Sequence, residues 1–261
     1  MDCTIDEIAE RIYRISTYVP EIAPPAGFTF NQFVIDADEP LLYHTGMRQL
    51  FPAVSAAVAR IVPLDRLRWI AFAHVESDEC GAMNEFLGAA PHAEVAHGHA
   101  GCLLSLNDMA DRPPRPLSDG EVLDIGGKVV RRRVRNVDTP HVPHNWESRV
   151  LYEETTATLF CGDLGTHVGG GPAVTDEDIV ERALEAEAAF RQTSCLSATT
   201  ATLRSLAELR PATLALMHGS SYRGDGAAVL RALADGFESR FSPEAEFAVR
   251  TGALAGGPVP V

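Results

Sequence analysis

The chain has 261 residues, 46% of them hydrophobic, which is ample for a large core and ordinary for a globular protein. Acidic side chains outnumber basic ones, 36 to 22, for a net charge of −14, and this excludes a nonspecific nucleic-acid binder. No apolar run approaches the roughly 20 residues of a membrane span, the start Met1-Asp-Cys-Thr-Ile-Asp-Glu lacks the segments of a signal peptide, and five widely spaced cysteines make a poor disulfide framework, so the sequence predicts a reduced, cytoplasmic protein with neither nucleic acid nor membrane as partner.

In chain order, 28–35 and 41–43 read as strands, joined by the turn Asp36-Ala-Asp-Glu-Pro40. Helical spacing over 47–61 puts Leu50, Val54, Val58 and Ile61 on one face, with Pro52 near its regular start and Pro63 ending it. A buried strand follows at 67–72. A helix is expected over 81–87, its N-terminus adding positive dipole behind the acidic run that precedes it. Then come a strand at 93–96, a short helix at 100–106 and a Pro-containing surface loop at 108–120.

Strands at 121–125 and 128–137 follow. The run Arg131-Arg-Arg133 alternates faces on such a strand and reads as solvated rather than as a polyanion site. A hairpin over 150–161 leads to Gly162-Asp163. A capping-box-like Thr175-Asp-Glu-Asp178 opens a helix over 176–191 with Ile179, Ala183, Ala186 and Phe190 on one stripe. A helix over 196–209, a strand over 213–217 and a final helix over 226–241 complete the pattern. The segment 252–261 reads as a mobile tail. No internal repeat and no long linker break the chain, so one domain over 1–261 is expected.

The run Ala73-His-Val-Glu-Ser-Asp-Glu-Cys-Gly81 places His74, Glu76, Asp78 and Glu79 within six residues. Alternate positions on an extended segment point to one side, so His74, Glu76 and Asp78 are expected to converge, with Glu79 reaching round from the turn. Further along, His144 sits in the proline-constrained Thr139-Pro-His-Val-Pro-His144-Asn-Trp-Glu-Ser. Asp163 follows the apolar Leu159-Phe-Cys-Gly, and His218 follows Thr213-Leu-Ala-Leu-Met. Strand ends of layered α/β folds are where sites are commonly built. Four carboxylates and three histidines suit a pair of divalent ions, whose charge would make the buried carboxylates tolerable. Such donors fit iron and also zinc. His97-Gly-His99 lies outside this ligand order and reads as structural, and Cys80 and Cys161 read as small buried residues.

The ordered set resembles the metallo-β-lactamase superfamily. Its first motif, usually His-x-His-x-Asp-His, here reads His74-x-Glu76-x-Asp78, which resembles the flavodiiron branch and its oxygen-binding diiron relatives. Pro143-His144-Asn-Trp-Glu-Ser148, Phe160-Cys-Gly-Asp163, His218-Gly219-Ser220 and the opening strand around Asn31 continue the likeness over nearly the whole chain. The resemblance implies a four-layer αββα sandwich. It implies two irons: His74, Glu76 and His144 would hold one, Asp78 and His218 the other, and Asp163 would bridge them. The family usually has histidine where this chain has Glu79. That residue either ligates in its place, stands behind the ligands, or leaves a looser site. His167 and Tyr222 are further candidates for the surroundings of the pocket.

The function expected from the resemblance is a non-haem diiron protein that binds O2 or NO and reduces or senses it. Related reductases carry a flavodoxin-like domain; here the sandwich takes the whole length, so this chain alone is expected to bind no flavin and to need a separate electron-donor protein. A homodimer is expected by the same analogy. The alternative is a dinuclear metal-dependent hydrolase of the wider superfamily, in which zinc would activate water against an ester, lactone or phosphoester. A third class is a sensor with the same centre and no turnover.

Overall fold

Strands that are apolar on both faces need cover on both sides. In this computed structural model, which describes residues 2–127 and 131–242, two seven-stranded sheets provide it for each other. The first contains β1 (Cys3–Ala9), β2 (Ile12–Val19), β3 (Phe28–Ile35), β4 (Leu41–Tyr43), β5 (Trp69–Ala71), β6 (Glu94–Gly98) and β7 (Arg115–Leu117), in chain order. The second contains β8 (Val122–Gly126), β9 (Arg132–Asp138), β10 (Arg149–Glu153), β11 (Thr158–Phe160), β12 (Val174–Thr175), β13 (Thr213–Ala215) and β14 (Ser221–Arg223), in the spatial order β12-β14-β13-β11-β10-β9-β8. The helices are α1 (Phe51–Ala59), α2 (Ser77–Cys80), α3 (Met83–Ala89), α4 (His99–Gly101), α5 (Asn107–Met109), α6 (Val180–Phe190), α7 (Leu196–Ala207) and α8 (Gly226–Phe241). Helical turns over Cys102–Leu106 join α4 to α5.

The period of two along each strand sorts side chains between layers. In β3, Phe28, Phe30 and Val34 pack with α1 and α3, while Phe33 and Ile35 face the other sheet. In β11, Leu159 faces α6, α7 and α8, and Phe160 meets Phe33 between the sheets at 5.6 Å. Three apolar clusters result, one between the sheets and one under each helical layer. This is the four-layer αββα sandwich expected. Gly236 lets α8 approach α6, since a Cβ there would meet Leu184 at 2.4 Å. Asp225 caps α8 by accepting from Ala228 N at 2.9 Å.

Several elements differ from the sequence reading. Strands β1 and β2 were not anticipated, because Arg14, Ser16 and Thr17 are buried polar residues that obscure the apolar alternation of β2. The predicted loop at 108–120 contains β7, an edge strand, where Pro116 removes no needed donor. The stretch after the strand at β5 is not extended through Asp78. Glu76 is the last extended residue (φ −137°, ψ 155°), and α2 begins at Ser77, so Asp78 and Glu79 lie in its first turn. Helix α6 starts at Val180 rather than 176, because Thr175 Oγ1 and Asp178 Oδ1 accept from Glu177 N and Val180 N and hold a loop there. Phe190 is 43% exposed rather than buried, although its ring meets Phe28 edge-on at 5.8 Å. The predicted tail at 252–261, and residues 128–130 of a predicted strand, lie outside the described residues. Arg131 and Arg133 are exposed beside Asp124 and Glu154, whereas Arg132 points inward and is 3% exposed. Among the described residues no helix is long and apolar enough to cross a membrane.

Candidate metal centre

Four chain segments reach one edge of the sandwich. Strand β5 ends at Ala71, and the following loop carries His74 and Glu76 before α2 presents Asp78 and Glu79. The β9–β10 loop carries His144. Strands β11 and β13 run parallel, so Asp163 and His218, each three residues beyond its strand, emerge at the same edge.

The sheets are stapled together there. Arg149, fully buried, donates from Nε to Phe72 O, from Nη2 to Ala96 O and from Nη1 to Asn136 Oδ1, while its own N–H donates to Ala73 O. Asn31 donates from Nδ2 to Leu216 O and Gly219 O, both at 2.9 Å. Glu147 Oε1 accepts from Val75 N at 3.0 Å. These bonds fix the loops on both sides of the cluster.

The cluster has two halves that meet at Asp163. On one side His74 Nε2 lies 2.7 Å from Glu76 Oε2, His144 Nε2 lies 3.1 Å from the same oxygen, and the two imidazole nitrogens are 3.0 Å apart. Asp163 Oδ2 is 3.5 Å from His144 Nε2 and 3.8 Å from His74 Nε2. On the other side Asp163 Oδ1 is 3.2 Å from His218 Nε2, which is 3.4 Å from Asp78 Oδ2. The first half, His74, Glu76, His144 and Asp163, offers four ligand atoms all within 4.8 Å of one another.

The electrostatics follow from this crowding. Burial opposes charge on His74, but Glu79, Glu76 and Asp163 outweigh it and raise its pKa to about 10. His218 is likewise resisted by burial and raised to about 10 by Asp163 and Asp78. Hydrogen bonds from His144 and His74 hold the Glu76 carboxyl far below the usual range. Burial works against ionisation of Asp163, yet His218, His74 and His144 keep its pKa low. Burial raises Glu79 and pushes His44 down to about 3, so the His44 ring is neutral.

The donor set fits a pair of cations. His144 Nδ1 lies 3.2 Å from Gln192 O, and His218 Nδ1 lies 2.7 Å from Thr29 O. A carbonyl can only accept, so in the neutral ring the proton sits on Nδ1 and the Nε2 lone pair faces the cluster. His74 and His144 bring their Nε2 atoms within 3.0 Å of each other beside the Glu76 carboxylate, an arrangement that suits a shared cation.

The structure does not bring every sequence candidate into the cluster. Glu79 is 1% exposed, but its oxygens lie on the Nδ1 side of His74. His167 is buried behind His218: Ser220 N donates to its Nε2 at 3.0 Å, and Gly219, at φ +91°, leaves room for its ring. Tyr222 packs in the cluster between the second sheet and its helices. His97 is buried against Phe72 on β6, and His99 begins α4, so the pair does not share a strand face. Cys80 and Cys161 are buried in the cores. Sequence reading missed Thr29, Gln192, Glu147, Arg149 and His44. Thr29 and Gln192 act here through backbone carbonyls, which carry no side-chain signature.

A two-sheet sandwich with such a cluster on one edge defines a metallo-β-lactamase-like protein. A family model described as "ODP family beta lactamase" matches residues 28–219, and the chain belongs to that family. It is 26% identical over 151 residues to diflavin flavoprotein A 1 of Thermosynechococcus vestitus, covering 56% of this chain and 25% of that protein; it thus spans about a quarter of that relative. Among solved structures, rubredoxin oxygen:oxidoreductase of Desulfovibrio gigas superposes with a TM-score of 0.79 at 16% identity, over 90% of this chain and 62% of that one. The Flv1 flavodiiron core of Synechocystis sp. PCC6803 gives 0.79 at 19%, over 92% and 62%. A 1–254 fragment of diflavin flavoprotein A 5 from Nostoc sp. PCC 7120 gives 0.79 at 18%, over 92% and 96%. These likenesses establish the shared fold.

Proposed function

We propose that this chain holds a non-haem diiron centre that binds O2 or NO, with reducing electrons supplied by a separate donor protein. The observation that carries the reading is the placement of Asp163, whose two oxygens face two separate sets of ligand-type groups. His74, Glu76 and His144 would hold one iron, Asp78 and His218 the other, and Asp163 would join them. Bound iron supplies electrons and open coordination positions for a diatomic ligand.

The residues of the chain would do the rest. Gln192 and Thr29 orient two imidazoles through their Nδ1 protons. Phe28, stacked on His218 at 4.2 Å, and Phe30, edge-on at 5.3 Å, exclude water from that side. Glu76 is 49% exposed and Trp146 57% exposed beside the His144 loop, so a donor surface can approach from there. The Desulfovibrio neighbour, named for rubredoxin and oxygen, and the neighbour named a flavodiiron core support this choice of chemistry. A homodimer is proposed on the same likeness.

Elemental mass spectrometry tests the reading on protein made with iron and zinc both available and purified without oxygen. About two irons per chain, as a two-metal site requires, is the expected result, followed by a reversible spectral response to O2 or NO. Two zincs, with hydrolysis of an ester, lactone or phosphoester, would replace it with the hydrolase reading.

A further inference from the structure

All three histidines of the cluster turn Nε2 inward, but they are held from behind by different groups. His144 and His218 face backbone carbonyls, Gln192 O at 3.2 Å and Thr29 O at 2.7 Å. His74 Nδ1 has instead a carboxylate oxygen nearby, Glu79 Oε1 at 3.3 Å, close enough to pair but not aligned as a hydrogen bond. The other oxygen, Oε2, accepts from the His74 backbone N–H at 2.7 Å. His44 Nε2 lies 3.4 Å from Oε1, and the His44 and Glu79 side chains are both almost completely buried. A Cβ on Gly162, whose φ is +53°, would come within 3.4 Å of the same oxygen. Glu79 is thus enclosed behind His74, with nitrogens around both oxygens.

Turning Glu79 toward His218 and Asp78 would strip the His74 N–H of its acceptor, in a place where water cannot replace it. Leaving it where it is gives His74 a carboxylate partner. Such partners fix the tautomer of a ligating histidine and make it a stronger donor.

We infer that Glu79 is a positioning residue for His74 and not a metal ligand, so the metal on the Asp78–His218 side keeps three protein donors against four on the other. The inference rests on the two-metal reading proposed above. It makes the centre unequal: one position is filled by protein, and the other is left open for an exogenous ligand.

The test is an anaerobic titration of the metal-free chain with Co(II), read by its visible absorption and by calorimetry. The wild type should take up two Co(II) in two resolved steps. His144→Ala should remove the tighter step and His218→Ala the weaker, which assigns them. Glu79→Gln keeps an acceptor oxygen for the His74 N–H but loses the charge, and should weaken the tighter step about 10- to 100-fold. Glu79→Leu should weaken it further, and neither should move the weaker step.

Loss confined to the weaker step would make Glu79 a ligand of that metal and overturn the inference. Uptake of fewer than two Co(II) by the wild type would instead overturn the two-metal reading itself. A second measurement needs no variant. In the zinc-loaded wild type labelled with ¹⁵N-histidine, the His74 Nδ1 proton should resonate downfield of those of His144 and His218, since only it faces a carboxylate. A His74 proton level with or upfield of the other two would overturn the inference.

Discussion

The two halves of the centre differ in donors and in dryness. The His74–Glu76–His144 half is rich in ligand atoms but open, with Glu76 49% exposed. The Asp78–His218 half has fewer donors and lies under Phe28 and Phe30, with Asp78 only 19% exposed. Charge interactions strengthen as water is excluded. In the proposed two-metal centre, the open half would therefore owe its hold on a cation to the number of its donors. The dry half would owe more to the strength of each, and would leave coordination positions to spare. A two-metal site built this way would separate retention from reactivity: one ion would anchor, and the other would lie where a ligand meets little competition from solvent.

The most drastic way to break this comparison is to remove the group both halves share. Asp163→Ala should take the iron content from about two per chain, the number a two-metal site requires, to none, measured by elemental mass spectrometry after anaerobic purification. Retention of one iron would show that the halves are independent sites. Retention of both would remove Asp163 from the centre.

Without metal, each half balances its carboxylates with a protonated histidine. His74 and His218 are raised to about 10, against about 6.5 for an unperturbed histidine. A folded-state pKa above the unfolded one stabilises fully below the unfolded value and is lost as pH rises through the folded one. The melting temperature of the metal-free chain should therefore fall between pH 7 and pH 10. Asp78→Asn should flatten part of that fall by weakening the His218 pair alone, leaving the contribution of His74. Melting curves that do not change over this range would mean that the cluster holds no protons there. The metal-loaded chain should show a smaller fall, because bound cations replace the protons.

How much of this was legible in the sequence depended on the kind of group. The ligand-type side chains could be read, because His74, Glu76, Asp78, His144, Asp163 and His218 carry their chemistry in their residue type and follow apolar strands or constrained loops. The sandwich was legible from the same strands, since Leu159 and Phe160 serve opposite layers. The supports could not be read. Gln192 and Thr29 hold histidines with backbone oxygens that every residue possesses. Arg149 stands just before the predicted hairpin with nothing to mark it, yet its guanidinium reaches three acceptors on the other sheet or on a neighbouring strand. Convergence was also reached differently from the expectation. An extended run would have aligned His74, Glu76 and Asp78, whereas the chain enters α2 at Ser77 and uses a helical turn to send Asp78 toward His218 and Glu79 back toward His74.

The smallest effect should come from a residue that touches both halves without belonging to either. The Gln192 carbonyl faces His144 Nδ1, while its side-chain Nε2 donates to Asp163 O at 3.2 Å. The neighbouring Thr193 is tied to Glu187 through both its N–H and its hydroxyl, and Ser194 N donates to Pro143 O. The loop is thus anchored independently of the Gln192 side chain. Gln192→Ala keeps the carbonyl that orients His144 and removes one hydrogen bond to the Asp163 backbone, so it should cost about 0.5–1.5 kcal/mol in denaturant unfolding and leave the iron content unchanged. Loss of one iron would mean instead that the side chain is needed to hold the loop, and that the orientation of His144 depends on it as much as on the backbone.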